Sequence, residues 1–140
     1  MSAEIRARLL IVDDEAAQMK ALCDTLALEG YATRGFTSAT EALTAVQPGE
    51  FDLLLTDLMM PDMDGIALSN AVRERDPALS AILMTGHGTI DTAVRAMRDG
   101  ALDYILKPFK LNVILPVIAR ALEVQRLRRE VTELDRKSVV

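Results

Sequence analysis

Five short apolar runs divide the chain at regular intervals. They cover Leu9 to Val12, Ala32 to Phe36, Leu53 to Thr56, Ala81 to Thr85, and Tyr104 to Leu106. The first, third and fourth runs are continuous rather than alternating, which is typical of strands buried on both faces of a sheet. The pattern therefore predicts five short strands, with at least three of them in the interior of the protein.

The segments after each strand have the spacing and end signals of helices. We expect a first helix over Ala16 to Glu29, ended by Gly30, and a second that begins at the capping box Ser38-x-x-Glu41. A third is expected over Asp64 to Arg75, ahead of Pro77, and a fourth over Thr89 to Arg98, ahead of Gly100. A fifth should begin at Leu111 or Asn112, with Pro116 near its start. A strand followed by a helix thus occurs five times. This alternation predicts an α/β fold, in which helices cover both faces of a parallel sheet through right-handed crossovers.

Polar side chains follow four of the five strands at the point where each strand ends. They are Asp13, Asp14 and Glu15 after the first, Asp57 after the third, Thr85 and Gly86 after the fourth, and Lys107 and Pro108 after the fifth. Ligands of doubly wound sheets bind outside the carboxyl ends of the strands. We therefore expect the acids Asp13, Asp14 and Asp57, a hydroxyl and an ammonium group to share one cleft.

This set of groups suits phosphoryl transfer. Three neighbouring carboxylates repel one another unless a cation compensates, and Mg²⁺ prefers oxygen ligands. Lys107 supplies a fixed charge for a phosphoryl oxygen, Thr85 a hydroxyl donor, and Gly86 room for close approach of the backbone. A carboxylate such as Asp57 is able to act as the nucleophile and form an aspartyl phosphate. Each feature alone is commonly a helix cap, a turn or a loop, but their placement at successive strand ends favours a shared site.

Taken together, these segments resemble the receiver domain of two-component response regulators. The resemblance rests on Val12-Asp13-Asp14-Glu15, on Asp57 through Gly65, on Thr85-Gly86 and on Lys107-Pro108-Phe109, and it covers roughly residues 7 to 125. The stretch Thr85 to Thr89 most resembles receivers of the nitrogen-regulator type, although receivers associated with hybrid kinases stay open. The resemblance implies a flavodoxin-like sheet of five parallel strands in the order 2-1-3-4-5, with a fifth helix extended at the C-terminus.

The resemblance also implies a role for each residue of the cleft. Asp57 corresponds to the phosphoacceptor, so the chain is expected to be a phosphorylation-dependent signalling switch rather than a turnover enzyme. Asp13, Asp14, Asp57 and the backbone carbonyl of Met59 correspond to the Mg²⁺ ligands. Lys107 corresponds to the lysine that binds the phosphoryl group. Transfer and loss of that group would be self-catalysed.

Further positions correspond to the conformational switch of the family. Thr85 and Tyr104 match the switch pair, Gly86 belongs to the phosphate loop, and the Lys107–Pro108 bond is expected to be cis. The surface that should change comprises the fourth helix, the fifth strand and the fifth helix, around Arg95, Arg98, Asp103 and Tyr104. We expect this surface to control an attached or partner output domain.

The partners follow from charge and from the single histidine. His87 lies in a Gly-His-Gly loop, so the phosphoryl donor is expected to be another chain or domain, namely a histidine kinase or phosphotransfer protein. The net charge of −5 argues against direct nucleic acid binding by this segment. The lone Cys23 fits a reducing cytoplasm, and no run approaches the roughly 20 apolar residues of a membrane span. We expect a cytoplasmic protein.

The C-terminal residues form a heptad-like series. It comprises Val113, Val117, Arg120, Val124, Leu127, Val131 and Leu134. We interpret the earlier positions as the core face of the fifth helix, and the later ones as a short coiled coil or a frayed amphipathic tail. The expected division is a receiver domain over 1–125 and a helical linker or coiled-coil extension over 126–140, toward a missing output domain. A homodimer would form through this helix or through the surface around Tyr104.

Two other functions compete with the switch. A magnesium-dependent phosphatase with an aspartyl nucleophile needs a general acid two residues after it, where this chain has Met59. A pure binding module would keep the acid cluster as a structural feature. Turnover of an external phosphate ester would favour the first, and failure to take up phosphate with magnesium bound would favour the second.

Overall fold

Strands and helices alternate along the whole described chain. The computed structural model describes residues 6–86, 90–98 and 103–138. The strands are β1 (Arg8–Val12), β2 (Ala32–Phe36), β3 (Leu53–Asp57), β4 (Ser80–Thr85) and β5 (Asp103–Leu106). The helices are α1 (Ala16–Leu28), α2 (Ala39–Ala45), α3 (Gly65–Arg75), α4 (Ile90–Arg98) and α5 (Leu111–Ser138). Each expected strand and helix is present, with ends that differ from the sequence prediction by at most one residue.

The strands form a single parallel sheet in the order β2-β1-β3-β4-β5. This confirms the doubly wound, flavodoxin-like topology. The chain reverses its direction of winding between β1 and β3, so the carboxyl ends of these central strands flank the crevice in which such folds bind ligands.

Two apolar layers enclose the sheet. On one face, side chains such as Leu9, Leu53 and Ile82 pack with α1 and α5, and on the other face Leu10 and Leu54 pack with α2 and α3. Because alternate residues of the central strands are buried on opposite faces, these strands read as continuous apolar runs. A third cluster lies under α4 and includes Leu58, Leu83 and Ala96.

Local signals fix the helix ends near the cleft. The Ser38 hydroxyl accepts a hydrogen bond from the Glu41 amide at 3.3 Å, and the Asp64 carboxylate accepts one from the Ala67 amide at 2.8 Å. Both residues are therefore N-caps. The cap at Ser38 is the predicted one, whereas Asp64 was predicted to lie within the helix and instead precedes it. The expected signals at His87, Thr89 and Gly100 lie outside the described residues.

The packing of α5 corrects one interpretation of the sequence. Its buried side chains are Ile114, Ile118, Ala121 and Gln125, one position later than the start of the heptad-like series. Val113 is 51% exposed and Leu134 65% exposed. The interpretation of the early heptad positions as the core face is wrong for Val113 and Arg120, because Ile114 and Ile118 point into the sheet and these two side chains are exposed. Val117 is half-buried and packs against the core.

The helix itself continues unbroken through Pro116 to Ser138, which confirms the C-terminal extension of the fifth helix. The proline is the sixth residue of the helix, just past the first turn, and because it lacks an amide hydrogen it leaves the Asn112 carbonyl without that intrahelical hydrogen bond. Within the described parts of the chain, no helix combines the length and the apolar character needed to cross a bilayer.

Candidate functional site

The carboxyl ends of β1, β3, β4 and β5 surround one cleft of about 820 Å³. The sequence-predicted residues that line it are Asp13, Asp14, Asp57, Met59, Thr85, Gly86, Lys107 and Pro108. Tyr104 is the predicted site residue that the structure places elsewhere. The strand ends meet because all the strands are parallel, so residues more than 90 positions apart come together.

Three carboxylates form the acidic centre of this cleft. Asp13, Asp14 and Asp57 each present an oxygen atom within 4.8 Å of the others. Asp13 is buried, Asp57 is partly buried and Asp14 is exposed, so the cluster opens to solvent on one side. Met59 lines the same opening with an exposed side chain. Closely spaced hard oxygen donors beside water are the donor set that fits Mg²⁺, which keeps several of its own waters.

Asp57 has a raised pKa. Burial and, to a smaller extent, the charges of Asp13 and Asp14 together raise the pKa of Asp57 to about 6, although the Lys107 charge acts to lower it. A carboxyl group with a raised pKa at the centre of a cleft is a common property of functional sites. A bound cation would remove the conflict and keep this carboxylate ionised.

Lys107 is the cation that faces the acids. Its Nζ donates to Asp13 Oδ2 at 2.7 Å and lies 3.7 Å from Asp57 Oδ1. The longer distance is an ion pair without a direct hydrogen bond. The Lys107 ammonium is therefore held beside Asp57 but does not form a direct hydrogen bond with it.

A third partner of Lys107 was missed by the sequence analysis. The ammonium donates to Gln18 Oε1 at 3.0 Å, and Gln18 Nε2 in turn donates to Glu15 Oε2 at 2.7 Å. Gln18 lies in the first turn of α1 and lines the cleft. Its role was not recognisable from the sequence, because a glutamine in a helical segment is ordinarily a solvated residue.

Backbone contacts hold the loop that follows Asp57. The Leu58 amide donates to the Met84 carbonyl at 2.8 Å, and the Gly65 amide donates to the Leu58 carbonyl at 2.8 Å. A Cβ atom at Gly65 would lie 2.4 Å from the Asp57 carbonyl oxygen, which is closer than real Cβ atoms come. The glycine that ends the Asp57 motif therefore lets α3 begin directly against the strand carrying Asp57.

The ends of β4 and β5 are joined in a similar way. The Lys107 amide donates to the Thr85 carbonyl at 2.7 Å, and the Lys107–Pro108 bond is cis. Thr85 is buried. An added Cβ at Gly86 would meet no atom of the described residues within 4 Å, so the space in front of this residue is open for close approach by a ligand.

Tyr104 lies behind the cleft rather than in it. The residue is half-buried and packs against the cluster that contains Leu58, Ile66, Leu83 and Ala96. Its hydroxyl oxygen is buried, and no residue in the described ranges forms a hydrogen bond with it. Burial accordingly raises the pKa of Tyr104. A buried hydroxyl without a hydrogen-bond partner destabilises the structure. A rearrangement that gave the Tyr104 hydroxyl a partner or exposed it to water would remove this cost.

The surface next to Tyr104 carries both apolar and charged side chains. Its exposed apolar side chains are Val94 and Met97 on α4, Leu106 on β5 and Val113 on α5. Arg95 lies 3.8 Å from Asp64, and Arg120 pairs with Asp103. Adjacent exposed apolar groups with charged neighbours are typical of a protein-binding surface.

The chain matches the family model described as the response regulator receiver domain over residues 9–119. Curated relatives include the C4-dicarboxylate transport transcriptional regulatory protein DctD of Rhizobium meliloti, 41% identical over 91% of this chain and 28% of the relative. The regulatory protein AtoC of Escherichia coli is 37% identical over 91% of this chain and 28% of the relative. The chain thus spans less than a third of the length of these relatives.

Solved structures show the same architecture. NtrX from Brucella abortus in complex with ATP superposes with a TM-score of 0.83 and 38% identity, over 93% of this chain and 30% of that one. The beryllofluoride-activated NtrC4 receiver domain dimer has a TM-score of 0.79 and 35% identity, over 84% of this chain and 98% of that one. With the family model matching most of its length, the chain belongs to the receiver domain family of two-component response regulators, a family of phosphorylation-dependent signalling modules.

Proposed function

We propose that Asp57 is the phosphoacceptor of this receiver domain, and that Mg²⁺ binds beside it. The observation that carries the proposal is the position of Asp57 between two other carboxylates and one ammonium group. Asp13, Asp14, Asp57 and the carbonyl of Met59 would hold the ion. When bound, the ion supplies positive charge that neutralises the carboxylates and the incoming phosphoryl oxygens.

The remaining residues of the cleft position the phosphoryl group. An oxygen of Asp57 attacks the phosphorus, the bond from phosphorus to the donor nitrogen of a partner histidine breaks, and an acyl phosphate forms. The 3.7 Å gap between Lys107 Nζ and Asp57 Oδ1 leaves the ammonium free to donate a hydrogen bond to a phosphoryl oxygen. The donor would be a histidine kinase or a phosphotransfer protein, as in other receivers.

The switch would follow from a contact that only one state offers. Phosphorylated Asp57 presents new acceptor oxygens to the Thr85 hydroxyl and to the open backbone at Gly86. A hydrogen bond that forms only with the modified state shifts a two-state loop toward the conformation that makes it. Tyr104 lies two residues before the end of β5 and pairs with Leu83 in β4, two residues before Thr85, and it would move with the switch. The face formed by α4, β5 and α5 would carry the change.

The output of the switch would lie outside this chain. The relatives include proteins named as transcriptional regulators, and a similar receiver is described as a dimer when activated. We propose that the face formed by α4, β5 and α5, together with the heptad series on α5, pairs two copies and thereby controls an attached output domain. The pairing of Arg120 with Asp103 supports this surface, because it neutralises the one polar position in the series. The division into a receiver over 1–125 and a linker over 126–140 stays a prediction.

Beryllium fluoride tests the acceptor and the metal without turnover, because it imitates a phosphoryl group on a carboxylate. Amide NMR spectra would be recorded as Mg²⁺ and then beryllium fluoride are added to the wild type and to Asp57→Asn. We expect changes around Thr85 and Tyr104 that require both additions and that are absent in Asp57→Asn. Identical changes in the two proteins, or no change in the wild type with Mg²⁺ bound, would contradict the proposal.

The affinity for Mg²⁺ should depend on pH through Asp57. Its pKa of about 6 in the metal-free protein means that a proton competes with the ion below that pH, whereas the carboxylate is ionised above it. The dissociation constant should therefore be about tenfold larger at pH 5 than at pH 7. Isothermal titration calorimetry measures this directly. The Asp57→Asn variant should lose the dependence, and a retained slope would assign it to another group.

A further inference from the structure

The middle of α5 is attached to the end of the sheet opposite the cleft. Ser80 Oγ donates to the Ala121 carbonyl at 2.9 Å, and Gln125 Nε2 donates to Asp52 Oδ1 at 3.3 Å. Asp52 and Ser80 lie at the amino ends of β3 and β4, whereas Asp57 and Thr85 lie at their carboxyl ends. The helix thus reaches across the sheet from one end to the other.

The attachment ends in a buried ion pair. The Arg129 guanidinium donates to both Asp76 oxygens, at 3.2 and 2.8 Å, and also to the Phe51 carbonyl at 2.9 Å. The Asp76 side chain is 5% exposed and that of Arg129 is 31% exposed. A bidentate arginine–carboxylate pair fixes orientation as well as distance. Arg129 lies in the segment predicted to be the linker, so this segment contacts the receiver through a specific side chain.

Asp76 is itself held by the receiver. It caps the end of α3 through its amide, which donates to the Val72 carbonyl at 3.0 Å, and its carboxylate accepts from the Gly49 amide at 3.0 Å. Burial acts to raise the pKa of Asp76, but the hydrogen bonds from Arg129 and Gly49 outweigh it and lower the pKa. Removal of Arg129 would leave a buried carboxylate without its countercharge, which is a costly arrangement.

The ion pair also determines which face of the helix points outward. Successive residues of an α-helix are rotated by about 100°, so Leu127 and Val131, two positions to either side of Arg129, point away from the sheet. Both are exposed, as is Leu134. With Arg129 held against Asp76, these three apolar side chains lie in a fixed direction relative to the receiver.

We propose that Asp76 and Arg129 form a latch that makes the receiver and the first turns of the linker one rigid body, and so sets the rotational phase of Leu127, Val131 and Leu134. Any partner helix on those three residues, whether from a second copy or from an output domain, would then be held at a defined angle to the phosphorylation site. The latch is a property of the described chain alone and does not depend on the proposed phosphorylation chemistry.

A neighbouring ion pair provides a matched control. Arg126 pairs with Glu123 and Glu130 at 2.6 Å on the exposed side of the same helix. Exposed pairs of this kind contribute little to stability. Arg126→Gln and Arg129→Gln therefore remove the same kind of side chain from nearly the same place. Arg126→Gln loses ion pairs within the helix, whereas Arg129→Gln loses the contact with the receiver.

Hydrogen exchange of the intact chain, without Mg²⁺ or phosphate, tests the latch. We expect Arg129→Gln to speed exchange of the amides from 126 to 134 by about tenfold or more, with little effect on β3 and β4, and Arg126→Gln to stay near the wild type. Asp76→Asn should give the same local effect, and the double variant little more, because both single changes break one contact. Equal exchange in the two arginine variants would overturn the proposal.

A distance measurement tests the rigid body through a second observable. Spin labels would be placed at Leu134→Cys and Glu41→Cys, both exposed positions, in a Cys23→Ala background. The rigid-body proposal expects a narrow distance distribution that becomes broad when Arg129→Gln is added. A distribution that is already broad with Arg129 present, or that stays narrow without it, would contradict the latch.

Discussion

Replacement of Asp14 by Asn lowers the affinity for Mg²⁺ by about 100-fold and leaves the fold intact, if the acid cluster is the metal site. Asp14 is the exposed member of the cluster, so its carboxylate contributes to metal binding but little to the packing of the core. Asparagine keeps the shape of the side chain and removes the charge. Isothermal titration calorimetry gives the affinity, and thermal unfolding checks the fold.

The neighbouring acid is the control for this experiment. Glu15 carries the same charge and also lines the cleft, but its carboxylate accepts from Gln18 and is not part of the three-carboxylate cluster. Glu15→Gln should change the Mg²⁺ affinity by no more than about threefold, the size of a general electrostatic effect at the surface. Equal losses in Asp14→Asn and Glu15→Gln would mean that the cleft attracts cations only by its average charge.

Replacement of Lys107 by Ala should slow phosphoryl uptake from a small acyl phosphate by about 100-fold, the usual cost of removing one charged donor from a transition state. Its ammonium lies 3.7 Å from Asp57 Oδ1, where the developing charge on the phosphoryl oxygens must be stabilised. The variant should also bind a proton more tightly at Asp57, because the Lys107 charge opposes the raised pKa of that group. Uptake rates and the NMR titration of Asp57 provide the two measurements.

Lys110 separates a local role of Lys107 from a general one. It is an exposed lysine three residues later in the same loop region. Lys110→Ala therefore removes one positive charge from the surface and leaves the ammonium group of Lys107 in the cleft. We expect its uptake rate to stay within about twofold of the wild type. If Lys107→Ala slowed uptake as little as Lys110→Ala, Lys107 would have no direct role in phosphoryl transfer.

Much of the fold and of the cleft was predictable because both follow from local patterns. Continuous apolar runs indicated strands buried on two faces, and in a parallel sheet the residues that follow such strands must meet at one edge. The sequence alone therefore places four residues in one cleft, namely Asp13, Asp57, Thr85 and Lys107. The capping signal at Ser38 was equally local, and the N-cap hydrogen bond there is confirmed.

The rotation of α5 was not predictable from spacing. Two series have the same intervals of four, three and four residues, so two largely apolar stripes competed for the same sheet. They are Val113, Val117, Arg120 and Val124, and Ile114, Ile118, Ala121 and Gln125. The outcome depends on tertiary contacts, among them the hydrogen bond from Gln125 to Asp52, which makes burial of a polar residue favourable.

Contacts between distant charged residues were hidden for a similar reason. Arg129 and Asp76 are far apart in the sequence, and each reads as a solvated surface residue in its own segment. Gln18 likewise reveals its role only when Lys107 approaches from the opposite end of the chain. Pairings of this kind are decided by how whole elements pack, and no local pattern records them.

The most direct test of the central claim is the intact mass of the chain after incubation with Mg²⁺ and a small acyl phosphate, measured alongside Asp57→Asn. The account predicts a gain of one phosphoryl group by the wild type, which a chelator prevents and which Asp57→Asn does not show. A gain of the same mass by Asp57→Asn would place the phosphoryl group elsewhere. No gain by either protein, with Mg²⁺ binding confirmed, would contradict the account and leave the acid cluster as a metal-binding feature.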